Sequence, residues 1–244
     1  MSGSSVTGIT TTLDHVAVAV PDIPTAERRW LGQLGARIVR STPNDWPFRA
    51  TTYTFPGGGR LEGLAAPPCT GPDQFVRGFL ARFGSSVHHV TLKVPDLDAA
   101  MARLRDTGYD VVDYREHSAV WHEAFLRPSQ TGGIVVQLGW EPYQDADSHE
   151  RGDVLDPPPW PPHAATLLGP RLQHPDLERA AAIWSHLGAT VEREADHLTC
   201  IWPDSPLTVV VTRGEPAGPV ALRFTGTSPL PPDDLLGPAG EVPT

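Results

Sequence analysis

Cysteine is close to absent from this sequence. The two in 244 residues, Cys69 and Cys200, have neither zinc-site spacing nor the density of a disulfide scaffold. That excludes a small stapled secreted fold and makes a reducing cytoplasm the expected location. A basic cluster is missing as well: 19 Lys and Arg stand against 29 Asp and Glu, for a formal net charge of −10. This balance argues against nucleic acid or an anionic membrane as the main partner and leaves a small-molecule substrate. No charged segment leads into a short apolar run of the signal-peptide kind, and no apolar run could span a bilayer.

Proline, by contrast, is plentiful at 27 residues and unevenly spread. The stretch "EPYQDADSHERGDVLDPPPWPPH" is polar, then proline-rich, with neither helical nor strand periodicity, so 141–162 reads as a linker. Residues 226–244 and about the first ten read as loose tails. The expected division is a paired-module domain over 12–140 and a third module over 163–225.

The chain repeats itself. "LDHVAVAVPDIPTAERRWLGQLGARIV" and "VHHVTLKVPDLDAAMARLRDTGYDVVD" share one layout: a strand with histidine near its start, a Pro-Asp turn, an amphipathic helix, a glycine and a β-rich run. Asp22 and Asp96 suit helix N-caps, and Gly35 and Gly108 suit the stops. Two further strand-like runs follow in each copy, so each reads β-α-β-β-β. "TLLGPRLQHPDLERAAAIWSHLGATVERE", with "HLTCIWP" and "LTVVVTR" after it, is a third copy.

Side chains alternate across a strand. Val16, Val18 and Val20 therefore form one face, opposite His15, Ala17 and Ala19; Val90, Leu92 and Val94 lie opposite His89, Thr91 and Lys93. Counting back seven from Asp22, Asp96 and Asp176 gives His15, His89 and Gly169. The last strands of the first two copies place Glu62 and Gln137 at related positions, whereas the third offers only Thr208 or Val209. Two imidazoles, a carboxylate and an amide oxygen suit one divalent metal ion (Fe, Mn, Co, Ni or Zn) with positions open to substrate. Taken singly, such histidines are equally ordinary core or surface residues. His88 reads as a packing or orienting neighbour of His89.

"LDHVAVAVPD", "RLEGLAAP", "SSVHHVTLKVPDLDAAMARL" and "FLRPSQTGGIVVQLGW" together resemble the vicinal-oxygen-chelate superfamily of glyoxalases, bleomycin-resistance proteins and dioxygenases. The resemblance is greatest to its methylmalonyl-CoA epimerase branch and covers about residues 12–140. It implies an α+β fold in which paired modules form an eight-stranded cup-shaped sheet around one metal. The third, degenerate module would be added to that. His15, Glu62, His89 and Gln137 would be the ligands. The resemblance also implies two opposed glutamate bases. One falls at Gln137, and an amide accepts no proton at neutral pH. The other falls on the strand before Glu62 near Phe48, where the nearest carboxylate is Asp45. Scaffold and metal therefore carry over better than the two-base reaction.

The expected function is a metal-dependent isomerase, epimerase or lyase acting on a small carbonyl or acyl substrate through a metal-stabilised enolate. Candidate catalytic groups are Glu62, His122, Glu123 and Lys93, with Thr52 or Tyr53 from the first copy. A non-haem iron(II) oxygenase uses a similar ligand set, and a metal-free binding or drug-resistance protein would use none. Trp46, Trp121 and Trp140 could line the cup mouth or merely pack. The third module could cover a sheet edge or pair with its copy in a homodimer.

Overall fold

The computed structural model describes residues 8–42, 47–67, 74–142 and 158–225. Asp45, Trp46, Cys69, most of the proline-rich linker and the tail from 226 onward lie outside the described residues.

The first module comprises β1 (Thr12–Ala19), α1 (Ile23–Trp30), β2 (Arg37–Ser41), β3 (Arg49–Thr54) and β4 (Arg60–Ala65). The second comprises β5 (Ser86–Lys93), α3 (Leu97–Asp106), β6 (Val111–Ser118), β7 (Trp121–Leu126) and β8 (Val135–Trp140). The third runs through β9 (Thr166–His174), α4 (Leu177–His186), β10 (Thr190–Arg193), β11 (His197–Ile201) and β12 (Thr208–Arg213). A further strand, β13 (Gly218–Thr225), and a helix between the first two modules, α2 (Phe75–Phe83), complete the elements. None of these helices is long and apolar enough to cross a membrane.

The Pro-Asp turns start the helices as expected. Asp22, Asp96 and Asp176 accept from the backbone N–H groups of Thr25, Ala99 and Arg179 at 2.8, 2.9 and 3.0 Å. Each satisfies one of the donors a helix start leaves unpaired.

The fold is α+β. An eight-stranded sheet has the order β2-β3-β4-β1-β5-β8-β7-β6, and a five-stranded sheet has the order β10-β11-β12-β9-β13. The first and third modules repeat one connection: the first strand lies parallel to the last in the pairs β1 with β4 and β9 with β12, while the other neighbouring strands pair antiparallel, as do β6 with β7 and β7 with β8 in the second.

By internal contacts the chain separates into two compact units. The described residues of one are 8–14, 90–142 and 171–219; those of the other are 15–42, 47–67, 74–89, 158–170 and 220–225. In the first unit, the segment leading into β1 is tied to the third module. Ile9 N–H donates to His186 O at 3.0 Å, Thr11 Oγ1 to Leu187 O at 2.6 Å, and Ser205 Oγ to Leu13 O at 2.6 Å. Trp202 Nε1 donates to Thr11 Oγ1 at 2.8 Å. In the second unit, Ala165 N–H donates to Leu34 O at 3.0 Å, and the rings of Phe55 and Phe224 lie 5.6 Å apart. The third module thus packs on the rest of its own chain.

Candidate metal centre

β1 and β4 pair in parallel with Ala17 opposite Glu62, so Glu62 projects from the face that carries His15. The reverse face shows why glycine follows Glu62. A Cβ on Gly63 would stand 2.6 Å from the ring of Trp30, the fully buried last residue of α1. His89 arrives from β5. One ligand atom from each of His15, Glu62 and His89 lies within 4.8 Å of the other two. His15 Nε2 is 3.7 Å from Glu62 Oε2, and the two imidazole rings are 5.9 Å apart at 67°. His15 and His89 are 2 % and 5 % exposed.

Imidazole and carboxylate donors bind first-row divalent ions at about 2.0–2.2 Å, which places neighbouring donors about 3–3.5 Å apart. The His15–Glu62 separation is close to that, and the whole group needs to contract by roughly an ångström, within reach of side-chain rotation. Two buried imidazoles and a partly buried carboxylate facing one point make a donor set that a cation would complete. The donor set fits a divalent metal.

The surroundings of this group are apolar. Ala17 and Ala19, on the His15 face, cluster with Ala50, Leu64 and Val76, and Phe48, Phe79 and Leu80 pack against them. Val76, Phe79 and Leu80 come from α2, whose first turn is capped by Gln74 Oε1 accepting from Arg77 N–H at 3.0 Å. The same helix sets Phe79 and Phe75 at 4.7 and 5.8 Å from the ring of His88. Although partly exposed, His88 has enough protein around it that desolvation lowers its pKa to about 4, against an opposing pull from Glu62. It is neutral at physiological pH, and its Nδ1 lies 2.9 Å from His89 Nδ1.

In the second module, Gln137 pairs with Phe125 across β7 and β8, and Glu123 pairs with Gly139. Glu123 and Gln137 therefore share a face, and Gln137 Nε2 donates to Glu123 Oε2 at 2.7 Å. Trp121 Nε1 donates to the same oxygen at 2.9 Å, and His117 Nε2 lies 2.7 Å from Glu123 Oε1. Thr91 Oγ1 donates to Gln137 Oε1 at 2.5 Å. Glu123 is 7 % exposed, a buried carboxylate whose charge is met by three donors.

The other candidates stand apart from these groups. His122 points to the reverse face from Glu123, with its ring 4.8 Å from that of Trp140. Lys93, the chain's only lysine, sits between Asp14 at 3.2 Å and Glu141, so its ammonium is engaged by two carboxylates. Thr52 pairs with Glu62 across β3 and β4 and shares its face. Tyr53 points the other way, packs on Trp30 at 5.0 Å and donates to Glu27 Oε1 at 3.2 Å. Burial, more than the nearby Glu27 charge, raises its pKa well above the ordinary phenol value. Trp121 anchors Glu123, and its ring fills the space a Cβ on Gly139 would need, 2.6 Å away.

Thr91, His117 and α2 are the parts sequence reasoning missed. Thr91 was within reach, because it lies two residues past His89 on the same face. His117 was not: the β6–β7 register shifts between Val112 and Arg115 and again between Glu116 and Ser118, which breaks the alternation. In the third module the backbone itself argues against a ligand, since Gly169, at the place of His15 and His89, has φ of 112°, where an L side chain is strained.

Part of the chain resembles known proteins. Residues 14–125 match the glyoxalase/bleomycin resistance protein/dioxygenase superfamily profile. The ethylmalonyl-CoA/methylmalonyl-CoA epimerase of Cereibacter sphaeroides is 31 % identical over 130 residues, 52 % of this chain and 95 % of that protein. The mitochondrial methylmalonyl-CoA epimerase of Bos taurus is 29 % identical over 129 residues, 52 % of this chain and 72 % of that protein. A crystal structure of methylmalonyl-CoA epimerase from Mycobacterium tuberculosis aligns at TM-score 0.48 and 27 % identity, covering 58 % of this chain and 93 % of that one. A hypothetical protein of Bacillus halodurans aligns at TM-score 0.50 and 17 % identity over 55 % of this chain and 97 % of its own, a likeness of fold. With an epimerase matched along nearly its whole length, this chain belongs to the glyoxalase/bleomycin resistance/dioxygenase superfamily.

Proposed function

We propose that the protein is a divalent-metal-dependent isomerase of the epimerase type. It would move a proton at the carbon next to a carbonyl in an acyl substrate. The observation that carries this reading is the convergence of His15, Glu62 and His89. Gln137, whose carbonyl is fixed in direction by Thr91 and Glu123, is the fourth donor of the reading. A divalent ion held there would polarise a carbonyl oxygen and stabilise the negative charge of an enolate.

Two carboxylates are available for the proton. Glu62 pairs with Thr52, so the position two residues on pairs Leu64 with Ala50; Gln137 pairs with Phe125, and two residues on Gly139 pairs with Glu123. Under the repeat, Glu123 thus occupies in the second module the place Ala50 occupies in the first. Relative to the pattern the family resemblance implies, glutamate and glutamine exchange modules, and a carboxylate lies on the penultimate strand of the second module instead of the first. One of these carboxylates would take the α-proton, and the enolate would regain a proton on its other face. The stereocentre is inverted and no electrons are gained or lost. His117, partly exposed, would pass the proton between Glu123 and water.

The relatives named as ethylmalonyl-CoA and methylmalonyl-CoA epimerases make a 2-substituted malonyl thioester the first substrate to test. The metal-loaded protein is expected to exchange the α-proton of methylmalonyl-CoA for deuterium in D2O, followed by NMR. Absence of exchange with metal bound would overturn the reading. Two imidazoles and one carboxylate also suit non-haem iron(II), so oxygen uptake by the iron(II)-loaded protein with substrate would favour an oxygenase instead. In this reading the first two modules carry the chemistry and the third, lacking ligands, supports β1.

A further inference from the structure

We propose that His88 is a positioning residue for His89: its Nδ1 accepts the Nδ1–H of His89 and so makes Nε2 the metal-binding atom of that ring. The inference rests on reading the triad as a metal site.

Two ring nitrogens 2.9 Å apart form a hydrogen bond only if one donates and the other accepts. A neutral imidazole carries one proton, so the choice fixes both tautomers. If His88 donated, His89 would accept at Nδ1 and carry its proton on Nε2, leaving no lone pair for a metal. If His89 donates, Nε2 is the ligand atom and His88 is the Nε2–H tautomer. Metal-bound histidines generally hand their second ring N–H to an acceptor that sets ring orientation and raises ligand basicity. That acceptor is usually a carboxylate or carbonyl; here the neighbouring residue in β5 supplies a second imidazole.

The placement of His88 is held from outside the strand. Phe79 lies 4.7 Å and Phe75 5.8 Å from its ring, both from α2, and Phe48 packs on Phe75 at 5.5 Å. These contacts restrict the imidazole without competing for its nitrogens. They also explain why α2, which buries only Val76 fully, is retained beside the site.

The test separates the acceptor from the ring. His88→Phe keeps an aromatic side chain against α2 and removes the acceptor; His88→Asn restores an acceptor through its amide oxygen. Titration calorimetry with Zn(II) and Co(II) is expected to show about 10- to 100-fold weaker binding for His88→Phe, the usual range for such partners, with most of it recovered in His88→Asn. In the metal-free wild-type protein, 15N–1H NMR should show His89 as the Nδ1–H tautomer. Wild-type affinity in His88→Phe, or an Nε2–H tautomer at His89, would overturn the proposal. If His88→Phe does not fold, the wild-type NMR measurement still decides. Failure of the wild-type protein to bind either ion would instead bring down the metal reading, and this inference with it.

Discussion

The amide of Gln137 is clamped at both ends: its nitrogen donates to Glu123 and its oxygen accepts from Thr91. Glutamine could otherwise present either group in a given direction. With a carboxylate on the nitrogen side and a hydroxyl on the oxygen side, the orientation of the amide is fixed. One buried acid thus orients the amide.

Glu123→Gln preserves shape and removes the base. It is expected to lower the rate of α-proton exchange by about 100-fold or more, the range for loss of a general base. Metal content after purification should stay at the wild-type level. Deuterium exchange by NMR and elemental analysis of the same preparation check both.

Metal should stabilise the fold. At a free concentration 100 times Kd, binding contributes about 2.7 kcal/mol, which for a chain of this size raises Tm by roughly 5–10 °C. Glu62→Ala and His15→Ala should abolish most of the rise, and chelator should reverse it in the wild-type protein. Scanning calorimetry with and without ion makes the comparison.

Gly139→Ala inserts a methyl group 2.6 Å from the Trp121 ring. Displacing that ring is expected to cost about 1–3 kcal/mol and to release its hydrogen bond to Glu123. Denaturant unfolding followed by tryptophan fluorescence should show a lower midpoint, together with a loss of activity that the equivalent Gly78→Ala, in open space, does not show.

Cys200 is buried in the third module, and burial pushes its thiol up from 9.0 to about 12. The native thiol stays neutral where the unfolded one ionises. Its contribution to stability is therefore intact below pH 9 and falls away as pH rises toward 12. In a Cys69→Ser background, iodoacetamide at pH 9.5 should spare the native protein and label it in urea. Equal labelling in both would contradict this burial.

Much of this was legible from spacing. The seven-residue interval from histidine to Asp22 and Asp96 fixed the register of the copies, and strand alternation then put His15 and Glu62 on one face. Both His122 and Glu123 read as candidates, and only the β7–β8 register puts them on opposite faces. Legibility failed where the repeat was not followed. In α2, Phe75, Val76, Phe79 and Phe83 have helical spacing, but the segment has no counterpart in the other copies and leaves two of its phenylalanines half exposed. β13 likewise extends the third module beyond its template. The partners of Lys93, Asp14 and Glu141, come from different strands' ends, and no interval in the sequence links them.

The ties between the segment before β1 and the third module have a consequence for synthesis. Thr11 and Trp202 bond across a separation of 191 residues, and Leu13 and Ser205 across 192. On a ribosome, the strand that carries His15 emerges well before the segment that holds its leading end, so these hydrogen bonds form only after about 190 further residues are made. Contacts this distant in sequence slow folding. A nascent chain halted after the second module would hold every proposed ligand and still lack the anchor of its opening strand.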